Sequence, residues 1–186
     1  MSLQRARYFF TVAEFERMGE AGIFAKDAHL ELIEGALYDM PVIGSRHAAC
    51  VKFLSRFLNV AVGDKALVST QNPIQLDDYS EPQPDVALLR LREDFYRHAH
   101  PTQIDVLLLI EVADTTVDYD RLVKVPLYAK AGIKEVWVVN LPAEQIEIYA
   151  EPSGDAYKIT KQIKRGEEAR AHTIPNLIVS ADTVLE

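Results

Sequence analysis

The chain has 186 residues, of which 48% are hydrophobic, and it carries a formal net charge of −8 and a single cysteine. This length and apolar share predict one domain that spans residues 1–186 and encloses a sizeable core. The lone Cys50 excludes an internal disulfide, and no apolar run is long enough for a membrane span or a signal peptide. We therefore expect a cytoplasmic protein that binds no membrane. The acidic charge argues against indiscriminate coating of nucleic acid but does not exclude a nuclease.

The first third of the chain predicts a short helix, a hairpin and a long helix. Thr11 can cap a helix over residues 12–19, with a glutamate three residues on as in a capping box. Residues 30–40 read as two strands around a tight turn, for which Gly35 supplies the geometry. Apolar residues at helical spacing then predict a long amphipathic helix that follows Ser45 and is stopped by Gly63.

The rest of the chain alternates between strand and helix patterns. Strands are predicted over residues 66–70, 74–76, 85–89, 106–112 and 135–140, a hairpin over residues 145–149 and 157–161, and a short edge element over residues 177–180. Residues 118–131 predict a helix capped by Asp118 or Asp120, which either starts just before Pro126 or kinks there. This order predicts an α/β fold, a mixed β-sheet flanked by helices, with an added N-terminal hairpin.

Two acidic residues stand where polar residues are least expected. Asp85 begins one predicted core strand, and Glu111 lies near the end of another that is apolar on both faces. An ionised carboxylate in such an interior costs several kcal/mol, of the order of 5, unless a cation or strong donors compensate it. Two carboxylates that meet at neighbouring strand ends therefore indicate a divalent cation with oxygen ligands, most naturally Mg²⁺.

The order and spacing of several short motifs resemble a known group of nucleases. These motifs are residues 30–35, residues 45–47, Pro84-Asp85-Val86, Ile110-Glu111-Val112, Tyr119-Asp120-Arg121 with Lys124, and residues 126–139. Each is weak alone, but together they resemble the PD-(D/E)XK nuclease superfamily and, within it, the Uma2 family of restriction endonucleases, also called DUF820. The resemblance covers most of the chain and implies a restriction-endonuclease-like fold.

The resemblance also implies a function and a set of site residues. It implies a metal-dependent endonuclease that hydrolyses phosphodiester bonds in DNA, with Mg²⁺, or Mn²⁺ as a substitute, held by Asp85, Glu111 and the carbonyl of Val112. Lys124 would orient or activate the attacking water. The superfamily usually places its lysine two residues after the second acid, where this chain has Ala113, so the lysine would have moved to the following helix. By family analogy we also expect a homodimer.

Two further residues are candidates for the site, each with an alternative explanation. His47 begins the long helix and would contact phosphate, water or a ligand, or simply bond to the backbone. Glu31 is our choice over Glu34 for an additional acid, because alternate strand residues face opposite ways and the turn explains Glu34. His47 and Cys50 have the spacing of half a zinc site, which we disfavour because no second pair of ligands is visible.

Ordinary structural roles and one other function compete with the nuclease prediction. Glu111 can instead form a structural salt bridge with Arg121 or Lys124, although buried pairs add little net stability. The basic loop of Arg90, Arg92, Arg97, His98 and His100 fits a phosphate contact or an ordinary solvated connection. The alternative function is a catalytically silent nuclease-fold module that binds nucleic acid or a protein partner.

Overall fold

The computed structural model describes residues 6–186 of the chain. The helices in this range are α1 (Val12–Glu20), α2 (Ser45–Val62), α3 (Val117–Tyr119), α4 (Val125–Lys130) and α5 (Ala181–Val184). The strands are β1 (Leu30–Ile33), β2 (Ala36–Asp39), β3 (Leu67–Thr70), β4 (Val86–Leu89), β5 (Val106–Ala113), β6 (Glu135–Asn140), β7 (Gln145–Ser153), β8 (Ala156–Lys164), β9 (Glu168–Arg170) and β10 (Ile178–Ser180). A π-helical turn, Asp120–Lys124, joins α3 to α4, and residues 117–130 are called the crossover segment below.

A six-stranded mixed sheet organises the molecule. Its strand order is β3-β4-β5-β6-β7-β8, in which β5 and β6 are parallel and the other neighbours are antiparallel. The crossover segment supplies the long connection that a parallel pair requires. The separate β1-β2 hairpin is the added N-terminal element, so the predicted α/β architecture is confirmed.

The sheet is covered on both faces. Side chains of α2, such as Leu54 and Leu58, pack with Trp137 in one apolar cluster, whereas Tyr128 of the crossover segment packs with Leu109 in the other. Burial on both faces explains why β4, β5 and β6 read as nearly continuous apolar runs.

The predicted N-terminal elements form for the reasons that the sequence indicated. Thr11 caps α1 in a complete capping box with Glu14. The β1-β2 turn uses Gly35 at φ +77°, where an added Cβ would lie 2.6 Å from Phe9 Cβ. Helix α2 ends at Gly63, whose φ of +49° an L-residue rarely adopts.

Two predicted elements differ in the structure. Residues 74–76 form no strand, since Ile74 and Leu76 donate backbone hydrogen bonds to Pro82 and Ser80 across a local reversal. Ile74 and Leu76 are buried, so the apolar residues at alternate positions reflect burial and not membership of the sheet. In the crossover segment the prediction of an Asp118 or Asp120 cap is wrong, because the helix begins after Thr116 with no side-chain cap.

Other differences concern length and position. The β7-β8 hairpin is longer than predicted, with Gly154 in its turn. Pro126 lies in the first turn of α4, directly after the π turn, which combines the two predicted alternatives of a late start and a kink. Among residues 6–186, no helix has both the length and the apolar character needed to cross a membrane.

Candidate active site

The sheet brings the predicted site residues to one place. Strands β4 and β5 are antiparallel with Val86 opposite Ile110, so Asp85 at the start of β4 lies beside Glu111. The backbone N–H of Asp85 donates to Glu111 Oε2 over 3.3 Å. Glu31 comes from β1, His47 from the first turn of α2, and Lys124 from the crossover segment that follows β5.

Asp85 lies where three elements converge. Its Oδ2 accepts hydrogen bonds from His47 Nε2 at 3.0 Å and from the backbone N–H of Val112 at 2.9 Å, and its Oδ1 accepts from Gln71 Nε2 at 3.3 Å. The hydrogen bond to Asp85 raises the pKa of His47, so the protonated imidazole is favoured. The other ring nitrogen, Nδ1, is buried and has no hydrogen-bond partner. His47 therefore orients the first acid.

Lys124 bridges the other two predicted acids. Its Nζ lies 3.3 Å from Glu31 Oε2 and 3.3 Å from Glu111 Oε1, and all three side chains are buried. Tyr128 donates a 2.5 Å hydrogen bond to Glu111 Oε1, and Tyr119 donates to Glu31 Oε1 at 3.1 Å. The lysine that lies away from the second acid in sequence thus reaches it by folding of the crossover segment.

Asp120 is a site residue that the sequence analysis missed in this role. It is buried, and its carboxylate accepts a hydrogen bond from the hydroxyl of Thr116 at 2.8 Å. Burial raises the pKa of Asp120 to about 6, although Lys124 opposes the rise. The signal for its role was its spacing, four residues before Lys124, which places both on one side of a helical segment.

The site holds more negative charge than its own cations balance. Glu31 and Glu111 contact the ammonium of Lys124, and the charges of Asp120 and Asp85 also act on it from further away. Burial raises the pKa of Glu111 to about 8 in spite of Lys124, and the neighbouring carboxylates raise it further. Burial alone would lower the pKa of Lys124, but Glu111, Glu31 and the other acids raise it, so the lysine stays charged. This excess of hard oxygen donors fits a divalent cation such as Mg²⁺.

Comparison with known proteins shows the family and the fold of the chain. The model of a family named Uma2, described as "Putative restriction endonuclease", matches residues 12–182. The chain belongs to the Uma2 family. The crystal structure of a "putative nuclease belonging to DUF820" from Anabaena variabilis is similar, with a TM-score of 0.73 and 16% identity over 95% of this chain and 97% of that chain. At that identity the likeness shows the fold. No curated protein matches the chain.

In this Uma2-family chain, the structure decides among several sequence-level alternatives. Glu31 points into the site, whereas Glu34 is exposed, has a φ of +48° in the turn, and pairs with Lys130 at 2.7 Å. Glu31, and not Glu34, is therefore the additional acid of the site. The hydrogen bond from the Val112 N–H is present, and a metal-binding role for its carbonyl stays a prediction.

Arg121 pairs with a carboxylate that the sequence analysis did not single out. It forms a two-pronged ion pair with Glu147 of β7, one prong of which, from Nε, measures 2.8 Å. Glu147 also accepts hydrogen bonds from Asn140 and Gln145 at 2.9 Å and from Tyr149 at 2.8 Å. These five side chains are called the Glu147 network below. They fasten the crossover segment to the sheet.

The remaining candidates have local roles. Cys50 is buried with its sulfur 3.6 Å from the carbonyl oxygen of Val184, and burial raises its pKa to about 12, which disfavours a thiolate ligand beside His47. Arg92 pairs with Asp94 and stacks 4.5 Å from the Tyr96 ring centroid, so it is engaged within its own loop. This engagement weakens the predicted phosphate contact at Arg92.

Proposed function

We propose that this Uma2-family chain is a Mg²⁺-dependent endonuclease that hydrolyses phosphodiester bonds in DNA. The observation that supports this most strongly is that Lys124 contacts Glu31 and Glu111 at the end of two core strands, with Asp85 and Asp120 close enough for their charges to raise its pKa. A structural role alone gives no reason to place four acids, three of them buried, close to one ammonium, because uncompensated charge is costly in an interior.

Asp85 and Glu111 are the residues that would hold the cation, joined by the Val112 carbonyl. His47 fixes Asp85 through the 3.0 Å hydrogen bond, and Tyr128 fixes Glu111. A bound Mg²⁺ would lower the pKa of water and stabilise charge that develops on the phosphoryl oxygens. These hydrogen bonds orient both carboxylates before a cation arrives.

Lys124 is the residue that would meet the reacting water and phosphate. Its ammonium is held by Glu31 and Glu111, so it is oriented before substrate arrives. A fixed positive charge in a buried site stabilises a hydroxide nucleophile and the transition-state charge far more than the same charge in water. Tyr119 donates a hydrogen bond to Glu31 and so helps to hold the carboxylate that orients Lys124.

One observation favours the alternative of a silent module that binds nucleic acid or a protein partner. Both contacts of Lys124 are to carboxylates of its own site, which resembles a closed structural ion pair. The net charge of −8 also gives no general attraction for DNA. Metal binding separates the two functions, because a binding module does not require a cation at Asp85 and Glu111.

The test is cleavage of supercoiled plasmid DNA with Mg²⁺ or Mn²⁺ by the unaltered protein and by Asp85→Asn and Glu111→Gln. These isosteric changes remove charge without leaving a cavity. We expect metal-dependent nicking that falls at least about 100-fold in both variants, since each removes one ligand charge from the site. Glu34→Gln is the matched control, since Glu34 is exposed and lies outside the site, and it should cut like the unaltered protein.

Equal cutting by all four proteins would reveal a contaminating nuclease and overturn the assignment. If no protein cuts, calorimetric titration with Mn²⁺ decides between the two functions. If the unaltered protein binds Mn²⁺ and Asp85→Asn does not, the proposal of a catalytic metal site is retained, and other phosphodiester substrates should be tested. No binding in any of the four proteins would favour the silent module.

A further inference from the structure

A second group of potential ligands lies outside the proposed active site. Glu16 of α1, Glu81 from the connection before β4, and His100 from the loop after β4 each offer one ligand atom. These three atoms lie within 4.8 Å of one another, although the residues are far apart in the sequence. The group therefore exists only in the folded chain.

Glu81 is the unusual member of this group. The residue is 4% exposed, and its Oε1 is buried with no hydrogen-bond partner. Among residues 6–186, no lysine or arginine forms an ion pair with it. Buried polar atoms in folded proteins nearly always have a partner, and a bound ion is one way to supply the partner that this oxygen lacks. Burial, together with the charge of Glu16, raises the pKa of Glu81 to about 7, as expected for a carboxylate without a cation.

We propose that Glu16, Glu81 and His100 form a second metal site, which binds a divalent transition-metal ion of the zinc class. An imidazole with two carboxylates favours such an ion over Mg²⁺, which takes oxygen ligands almost alone. Three protein ligands leave one position for water in a tetrahedral site.

The geometry lets such a site close with small movements. Zinc bonds of roughly 2.0–2.2 Å require ligand atoms roughly 3.3–3.5 Å apart, so the three atoms need to approach by about 1.5 Å at most. Glu16 and His100 are exposed and can rotate toward the buried Glu81. The ion would offset the desolvation of Glu81 and occupy the place of its missing partner.

The site would connect three separate parts of the structure. The Glu81 N–H donates to the carbonyl of Leu32 on β1 at 2.7 Å, and the Gln83 N–H donates to Glu31 at 3.3 Å. An ion at Glu81 would therefore clamp α1 and the loop after β4 onto the same backbone that positions Glu31. This role differs from that of a catalytic cation and does not depend on nuclease activity.

The experiment is calorimetric titration of the full-length protein with Zn²⁺, together with thermal unfolding in the same buffers. We expect one Zn²⁺ that binds the Glu111→Gln variant as well as the unaltered protein, because this ion does not use the proposed active site. His100→Ala should weaken this binding by at least about 100-fold and abolish the zinc-dependent rise in Tm. His98→Ala is the matched control, since it removes an exposed histidine of the same loop that is outside the group.

Three outcomes would overturn the proposal. They are absence of zinc binding, equal binding by His100→Ala and His98→Ala, or loss of the ion in Glu111→Gln, which would place it in the active site. A Glu81→Gln variant gives a second test. If Glu81 is simply a neutral buried acid, this variant keeps its zinc response, whereas loss of the response supports the second site. His100→Ala changes only an exposed side chain, so it tests the proposal even if Glu81→Gln does not fold.

Discussion

Two buried glutamates on the same sheet have pKa values that are shifted in opposite directions. Glu147 on β7 receives hydrogen bonds from four side chains, and these outweigh its burial and lower its pKa to about 2. Glu111 on β5 shares the ammonium of Lys124 with Glu31 and is also acted on by the charges of Asp120 and Asp85, and burial raises its pKa to about 8. A carboxylate that is satisfied within the fold needs nothing further, whereas one whose charge is only partly compensated is suited to an external cation.

The largest effect is expected from removal of the lysine. In EDTA at pH 8, Lys124→Met should lower the free energy of unfolding by about 3–5 kcal/mol, because Glu31 and Glu111 lose their buried counter-charge. Urea denaturation followed by circular dichroism measures this change. The control is Lys130→Met, which removes an exposed ion pair with Glu34 and should cost less than about 0.5 kcal/mol. Similar losses of stability in both variants would contradict the role of Lys124 as the buried counter-charge of Glu31 and Glu111.

The same substitution should have opposite effects at the two glutamates. Glu147→Gln removes the charge that four donors point at, and we expect a loss of about 2–4 kcal/mol in unfolding free energy. Glu111→Gln relieves repulsion between buried acids, so in EDTA it should leave stability unchanged or raise it by about 1–2 kcal/mol. Paired urea titrations at pH 8 compare them directly. A clear loss for Glu111→Gln would show that its pairing with Lys124 is a structural bond.

The two carboxyls should also respond to pH in separate windows. Glu147 has a folded pKa of about 2, below its ordinary value, so its contribution is present above about pH 4.5 and is lost as the pH falls toward 2. Glu111 has a folded pKa of about 8, above its ordinary value, so metal-free stability should fall as the pH rises from about 4.5 through 8. The measurement is unfolding free energy against pH in EDTA, with Glu147→Gln and Glu111→Gln each expected to flatten one window.

The smallest effect concerns one donor of the Glu147 network. Tyr149→Phe removes a 2.8 Å hydrogen bond but leaves Arg121, Asn140 and Gln145 in place, so we expect a cost of about 1 kcal/mol. Thermal unfolding at pH 7 measures this cost. A loss as large as that of Glu147→Gln would mean that the network acts as a single unit rather than as additive bonds.

The sequence indicated the residues of the candidate site more clearly than those of the Glu147 network, for a physical reason. Asp85 and Glu111 stand out because one begins an apolar strand and the other interrupts one, and the order of motifs added Lys124 and His47. Glu147 lies in an alternating polar and apolar stretch, a pattern typical of a strand with one face in solvent. The crossover segment covers that face, and only a tertiary contact with Arg121 reveals it.

Local conformation was harder to predict than strand position. The buried runs of β4, β5 and β6 define their strands because apolar burial and β structure agree there. Residues 74–76 alternate between apolar and polar side chains as a strand does, yet they fold back locally. The pattern alone cannot distinguish a buried local turn from a strand of the sheet. The role of Asp120 was missed because a helix-start aspartate is usually a cap, and the π turn that directs it inward depends on tertiary packing.

The π turn also sets the rotational phase of the helix that follows it. The N–H of Val125 bonds to the carbonyl of Asp120, five residues back, so this turn contains one residue more than an α-helical turn. An α-helix advances about 100° per residue, and loss of that residue would swing Tyr128 by the same angle away from Glu111. The extra residue therefore lets one short segment direct both Lys124 and Tyr128 toward Glu111. The number of residues between 120 and 124 is thus as constrained as their side chains.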